Sequence, residues 1–109
     1  MAFKTIDLRT VCKDRRWKCT YEPSFKAERM STTNPEAMWY SEILCINGLI
    51  YPYGGNELLA CVEDHPRIAS KLLAIGPEVQ QHQGMAVFKF PYKLLDSIAM
   101  VMKPRRKRA

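Results

Sequence analysis

Nowhere in these 109 residues do eighteen apolar residues run together, and Met1-Ala2-Phe3-Lys4-Thr5-Ile6-Asp7 carries no apolar core of a secretion signal. Both absences argue against membrane spanning and secretion, so the expected location is cytoplasmic. Glycine is scarce, at five residues. Gly54-Gly55-Asn56 is not followed by the Lys-Ser/Thr of a phosphate loop, and no other glycine cluster offers one. No two cysteines have the two-to-four spacing of a zinc knuckle: Cys12, Cys19, Cys45 and Cys61 are separated by six, twenty-five and fifteen residues. The reading is four reduced thiols, no metal and no cofactor, with Cys45 and Cys61 as small core residues in apolar strands.

Catalytic groupings are equally thin. Cys61-Val62-Glu63-Asp64-His65 gathers a thiol, two carboxylates and an imidazole before a helix, yet Asp64 and His65 have sufficient work as its caps. The other histidine, His82, stands near a turn. No catalytic residue is assigned, and the protein is expected to bind rather than to transform.

What the chain does have is positive charge, and it is unevenly placed. The net charge is +6 and the isoelectric point about 9.3. Residues 1–30 hold eight Lys/Arg against four acids, residues 31–102 hold four against seven, and residues 103–109 hold five against none. A run of like charge repels itself and resists burial, so 103–109 reads as a solvated, disordered tail behind a single domain of residues 1–102. Its complement is a polyanion. DNA or RNA phosphates are the expected partner of Lys103, Arg105, Arg106, Lys107 and Arg108, assisted by Lys13, Arg15, Arg16 and Lys18.

With 47% hydrophobic and 26% charged residues, the composition is that of an ordinary globular domain. Trp17, Cys19 and Tyr21 alternate with Lys18, Thr20 and Glu22, which predicts a hairpin or two short strands over Thr10 to Glu22, a hairpin there turning at Arg15-Arg16. A polar connector follows over 23–37, broken at Asn34-Pro35. Asn47-Gly48 between Trp39 to Ile46 and Leu49 to Tyr53 predicts a second hairpin, in which Ile46 pairs with Leu49, Cys45 with Ile50 and Leu44 with Tyr51. Pro52 marks an edge where it falls.

Beyond it come a strand over Leu58 to Glu63 and a helix over Asp64 to Gly76 opened by Pro66. Then follow a hairpin of Val79 to His82 with Met85 to Phe90, and a helix from Pro91 to about Met102. The fold class is therefore α+β: a small antiparallel sheet with two helices on one face. Strand, helix, strand, strand, helix is the order of a ferredoxin-like split βαβ unit, rearranged so that a strand of the preceding β-hairpins fills the last place.

Aromatic side chains bear on function in two places. On Met85 to Phe90 the outward positions are Met85 and Val87, which present no ring to a base, while Phe88 and Phe90 share the inward parity of Ala86. Trp39, Tyr40, Tyr51 and Tyr53 crowd the central hairpin, but no Lys or Arg lies between Arg29 and Arg67 to serve a stacking platform. Leu44, Tyr51 and Tyr53 on one face are instead a candidate interface for a protein partner or a second copy of the chain.

Overall fold

Asp7 sets the course of the first element. Its carboxylate accepts a hydrogen bond from the Arg9 N–H at 3.0 Å and so caps a helix, α1 (Leu8–Arg15). Leu8, Val11 and Cys12 stand three and four positions apart and bury one helical face. The hairpin expected over Thr10 to Glu22 is therefore wrong in its first half. A capped apolar stripe outweighs the alternation, which takes over only after Arg16 ends the helix in the left-handed conformation at φ 57°. From there the chain is extended through Trp17 into β1 (Cys19–Tyr21).

The computed structural model describes residues 5–81 and 85–107. Among them the connector holds α2 (Pro23–Ala27) and a 3₁₀ turn at Ala37–Tyr40, tied by Phe25, which is buried and stacks on Tyr21 at 4.2 Å. Then come β2 (Ser41–Cys45), β3 (Gly48–Gly54), β4 (Glu57–Glu63), α3 (Pro66–Leu73), β5 (Glu78–Gln81), β6 (Met85–Pro91) and α4 (Leu95–Met102). The six strands form one antiparallel sheet in the order β1-β2-β3-β4-β6-β5. The domain is α+β, and no helix among the described residues is long and apolar enough to cross a membrane.

The central hairpin forms with a shifted register. Cys45 pairs with Gly48, Leu44 with Leu49 and Ile43 with Ile50, so the turn is Ile46-Asn47 rather than Asn47-Gly48. Close packing claims the glycine for the strand: a Cβ on Gly48 would stand 2.0 Å from the Cys61 carbonyl oxygen. The turn is held from outside, by main-chain bonds from Ile46 to Lys103 and from Asn47 to Met102, and by the Asn47 amide on the Val101 carbonyl at 2.7 Å. The partner of each β2 residue moves by two positions along β3, an even shift that leaves every side chain on its expected face. Pro52 stands past Ile50, where the pairing with β2 has stopped, so β3 is an edge on that side, while on the other Pro52 still faces Leu58 of β4 just before an irregularity in the register.

Alternation places Ile43 and Cys45 of β2, Ile50 of β3, Leu58, Ala60 and Val62 of β4, and Phe88 and Phe90 of β6 in one core. Leu8, Val11 and Cys12 of α1, Ile68 and Leu72 of α3, and Leu95, Ile98 and Met102 of α4 join the same cluster. Three helices, not two, thus bury their apolar stripes on one face of the sheet. The helix limits also need correction. Pro91 closes β6 and a 3₁₀ turn intervenes before α4, while α3 begins at Pro66 with no side-chain cap from Asp64 or His65. The turn expected around Gln83-Gly84 lies outside the described residues.

Candidate nucleic-acid interface

Lys103 ends α4 in the left-handed conformation, φ 57°, and turns the chain back toward the sheet. The next residues enter the gap where β2 runs on past the start of β1. Ile46 donates to the Lys103 carbonyl at 2.8 Å and Arg105 to that of Leu44 at 2.8 Å on one side; Lys18 donates to Arg105 at 2.7 Å and Lys107 to Arg16 at 3.0 Å on the other. Over 103–107 the basic segment is thus paired main chain and not the free tail expected of it; Arg108 and Ala109 lie outside the described residues. The charge argument holds for side chains alone, since a peptide backbone pairs while its charged ends stay in water. Lys103, Arg105, Arg106 and Lys107 are all exposed.

That pairing sets the C-terminal cations beside those of the first turn. Lys13, Arg16 and Lys18 are exposed on the neighbouring chain, and none of the seven residues forms an ion pair among the described residues. Arg15 departs from the expected set. Its guanidinium bonds Asp96 at 3.2 Å and the Tyr92 hydroxyl at 3.3 Å, and lies 5.5 Å from the Trp17 ring centre, so it ties α1 to α4. Part of the charge has a structural use, because α1 and α4 both end here and a carbonyl-lined helix end favours a nearby cation by about 0.3–1 kcal/mol. That accounts for Lys13, Arg16 and Lys103. It leaves Lys18, Arg105, Arg106 and Lys107 with no side-chain partner among the described residues to explain them.

Two grooves open at this corner. One, of about 620 Å³, runs along Lys18, Ile46 and Pro104 to Lys107. The other, of about 530 Å³, is walled by Arg9, Lys13, Trp17, Lys18, Tyr21 and Lys107 over a floor of Cys12 and Cys19. Lys18 and Lys107 belong to both, and among the described residues no carboxylate lines either. Arg9, Trp17 and Tyr21 were not among the residues expected from the sequence. The signal for Arg9 is its i, i+4 spacing to Lys13, legible only once α1 is known to be a helix.

The other candidate surface is the sheet face turned away from the helices. Leu44, Leu49, Tyr51, Leu59 and Cys61 are half-buried there, and Tyr53 is 47% exposed. Lys89 does reach the Tyr53 ring, at 4.8 Å from its centre, but it is engaged by Glu78 at 3.2 Å and Glu57 at 3.9 Å. No unpaired cation serves those rings among the described residues.

Cys61, Glu63 and His65 share a cavity of about 460 Å³ with Leu44, Ile46 and Asn47. Burial, then the charges of Glu63 and Glu42, push the Cys61 thiol up, which opposes formation of a nucleophilic thiolate at neutral pH. The four cysteines are unbridged. Among the described residues, no three His, Cys, Asp or Glu side chains gather as they would around a metal ion. Comparison with protein-family models, with curated proteins and with solved structures finds no match to this chain.

Proposed function

We propose that the protein binds nucleic acid through phosphate contacts at the corner formed by α1, the Arg16–Lys18 segment and residues 103–107. The observation that carries this reading is the meeting of both basic chain ends. Seven exposed cations converge without an ion pair among the described residues, and such an array repels itself until a polyanion neutralises it. The main-chain bonds of residues 103–107 give the array a defined shape, which a free polycationic tail lacks. In this reading the protein acts by binding, not by catalysis, and works inside the cell. DNA and RNA phosphates are equivalent to such an array.

The strand order β3-β4-β6-β5 supports the split βαβ description of the C-terminal part, with β3 in the place of the missing last strand. A second reading rests on the sheet face of Leu44, Tyr51 and Tyr53, which no helix of the core cluster covers. A protein partner or a second copy of the chain would pack there.

Fluorescence anisotropy with a random-sequence DNA duplex, over a range of salt concentrations, separates the two. If three phosphates contact Arg105, Arg106 and Lys107, the R105Q/R106Q/K107Q protein should show a log–log salt slope shallower by about 2.7. An unchanged slope removes the corner from the binding site. Absence of binding by the unaltered protein to this duplex and to single strands of the same length removes the nucleic-acid reading and leaves the sheet face as the functional surface.

A further inference from the structure

The groove over Cys12 and Cys19 has more than charge, and its lining bears on which nucleic acid the corner takes. Trp17 and Tyr21 both reach it and both are half-buried. Each ring has one face occupied from within: Arg15 lies over Trp17, and Phe25 stacks on Tyr21 with ring planes 14° apart. Rings held in this way lose little freedom when something flat is laid on them. Arg9 is held as firmly, its guanidinium bonded to both Asp7 carboxylate oxygens and, at 2.8 Å, to the Thr32 carbonyl. Lys13, Lys18 and Lys107 line it too, with no acid beside them among the described residues.

Aromatic walls beside unneutralised cations, over a floor of thiols, suit a base with its phosphates. They suit a bare polyanion less well, because phosphate gains nothing from the rings. A volume of about 530 Å³ lies within the range of sites for small organic groups. In a duplex the base faces are already stacked on one another and present no face to Trp17 or Tyr21.

We propose that this groove receives an unpaired nucleobase, so that the corner prefers single-stranded nucleic acid, the strand continuing past Lys18 and Lys107 into the groove along Pro104. This rests on the phosphate-binding reading and adds base recognition to it. The array is indifferent to the sugar, so ribose and deoxyribose strands should bind alike.

The test changes the ligand rather than the rings, since Trp17 also packs against the core. Affinities of the full chain are compared at one salt concentration for a twelve-nucleotide oligothymidylate, an oligouridylate of the same length, an abasic strand with the same number of phosphates, and a duplex. Both base-bearing strands should bind about tenfold more tightly than the abasic strand. They should also quench Trp17 emission in a W39F protein, whereas the abasic strand should not.

Lys13→Gln removes an exposed charge from α1 and should weaken base-bearing and abasic strands by the same factor. Equal affinity for abasic and base-bearing strands, with unchanged Trp17 emission, overturns base recognition and leaves the phosphate reading standing. If no strand and no duplex binds, both readings fall together.

Discussion

Removing residues 103–109 tests the unexpected part of this structure, because a solvated tail and a paired strand predict different results. Besides the Lys103 N–H bond that caps α4 on the Ala99 carbonyl, which water can replace, truncation after Met102 deletes four main-chain hydrogen bonds, to Leu44, Ile46, Arg16 and Lys18. At about 1 kcal/mol net for each, they contribute about 4 kcal/mol. Pro104 bridges to Cys45, which is 4% exposed, and Arg106 to Trp17; uncovering these apolar groups costs about 2 kcal/mol more. Against this, ordering five residues, one of them a proline, costs about 5 kcal/mol.

The remainder, about 1 kcal/mol, corresponds to a fall in Tm of about 4–8 °C. The R105Q/R106Q/K107Q protein keeps every one of those main-chain bonds. Its changes lie on the surface and remove charges that repel one another, so its Tm should not fall as that of the truncated protein does. Thermal denaturation followed by circular dichroism measures both, and hydrogen exchange at the Lys18 and Ile46 amides localises the effect. A truncated protein with unchanged Tm and undiminished protection at those amides would refute the pairing.

Three further outcomes follow from local geometry. Gly48→Ala forces a Cβ to 2.0 Å from the Cys61 carbonyl at a backbone φ of +148°, so urea denaturation should show a loss of more than about 2 kcal/mol; a smaller loss would mean that the β3–β4 ladder yields easily. Iodoacetamide at pH 8 should label Cys19 first, because its hydrogen bond with Cys12 lowers its pKa while raising that of Cys12, and burial pushes Cys45 up to about 12. Peptide mass spectrometry reads the order, and Cys45 labelled ahead of Cys19 would contradict it. Asp7→Ala removes the cap of α1 and should cost about 1 kcal/mol. Because the Arg9 hydrogen bond holds the Asp7 carboxyl below its usual value, that contribution is present above the unfolded pKa and fades as pH falls through the lower folded one. Acid titration of the two proteins should therefore converge at low pH.

Much of the candidate site was legible in part. Lys13, Arg16, Lys18 and the C-terminal cations could be named from charge alone, since charge is a property of residue type. Arg15 could not be told from Arg16 in this way. The helical turn points Arg15 at Asp96 and Tyr92, far away in sequence, while Arg16 caps the helix and faces water. Trp17 and Tyr21 carried the right signal, a period of two, but nothing local says that Lys107 and Arg9 will flank them.

The reach of sequence follows the reach of the forces involved. Periodicity determined the inward faces of β4 and β6, because alternate side chains of a strand must point opposite ways, and Pro66 marked the start of α3, which stops at Leu73, short of Gly76. The acidic middle and basic ends were likewise determined by composition. Tertiary structure decided what depends on distant partners. Gly48 belongs to a strand because the Cys61 carbonyl approaches it, and residues 8–15 are helical because Leu8, Val11 and Cys12 find a shared core. Residues 103–107 bridge to the edge of the sheet because the end of β2 offers unpaired main-chain groups. A hydrogen-bonding gap forty or more positions away leaves no mark on the residues that fill it, since every residue but proline carries the same backbone donor and acceptor.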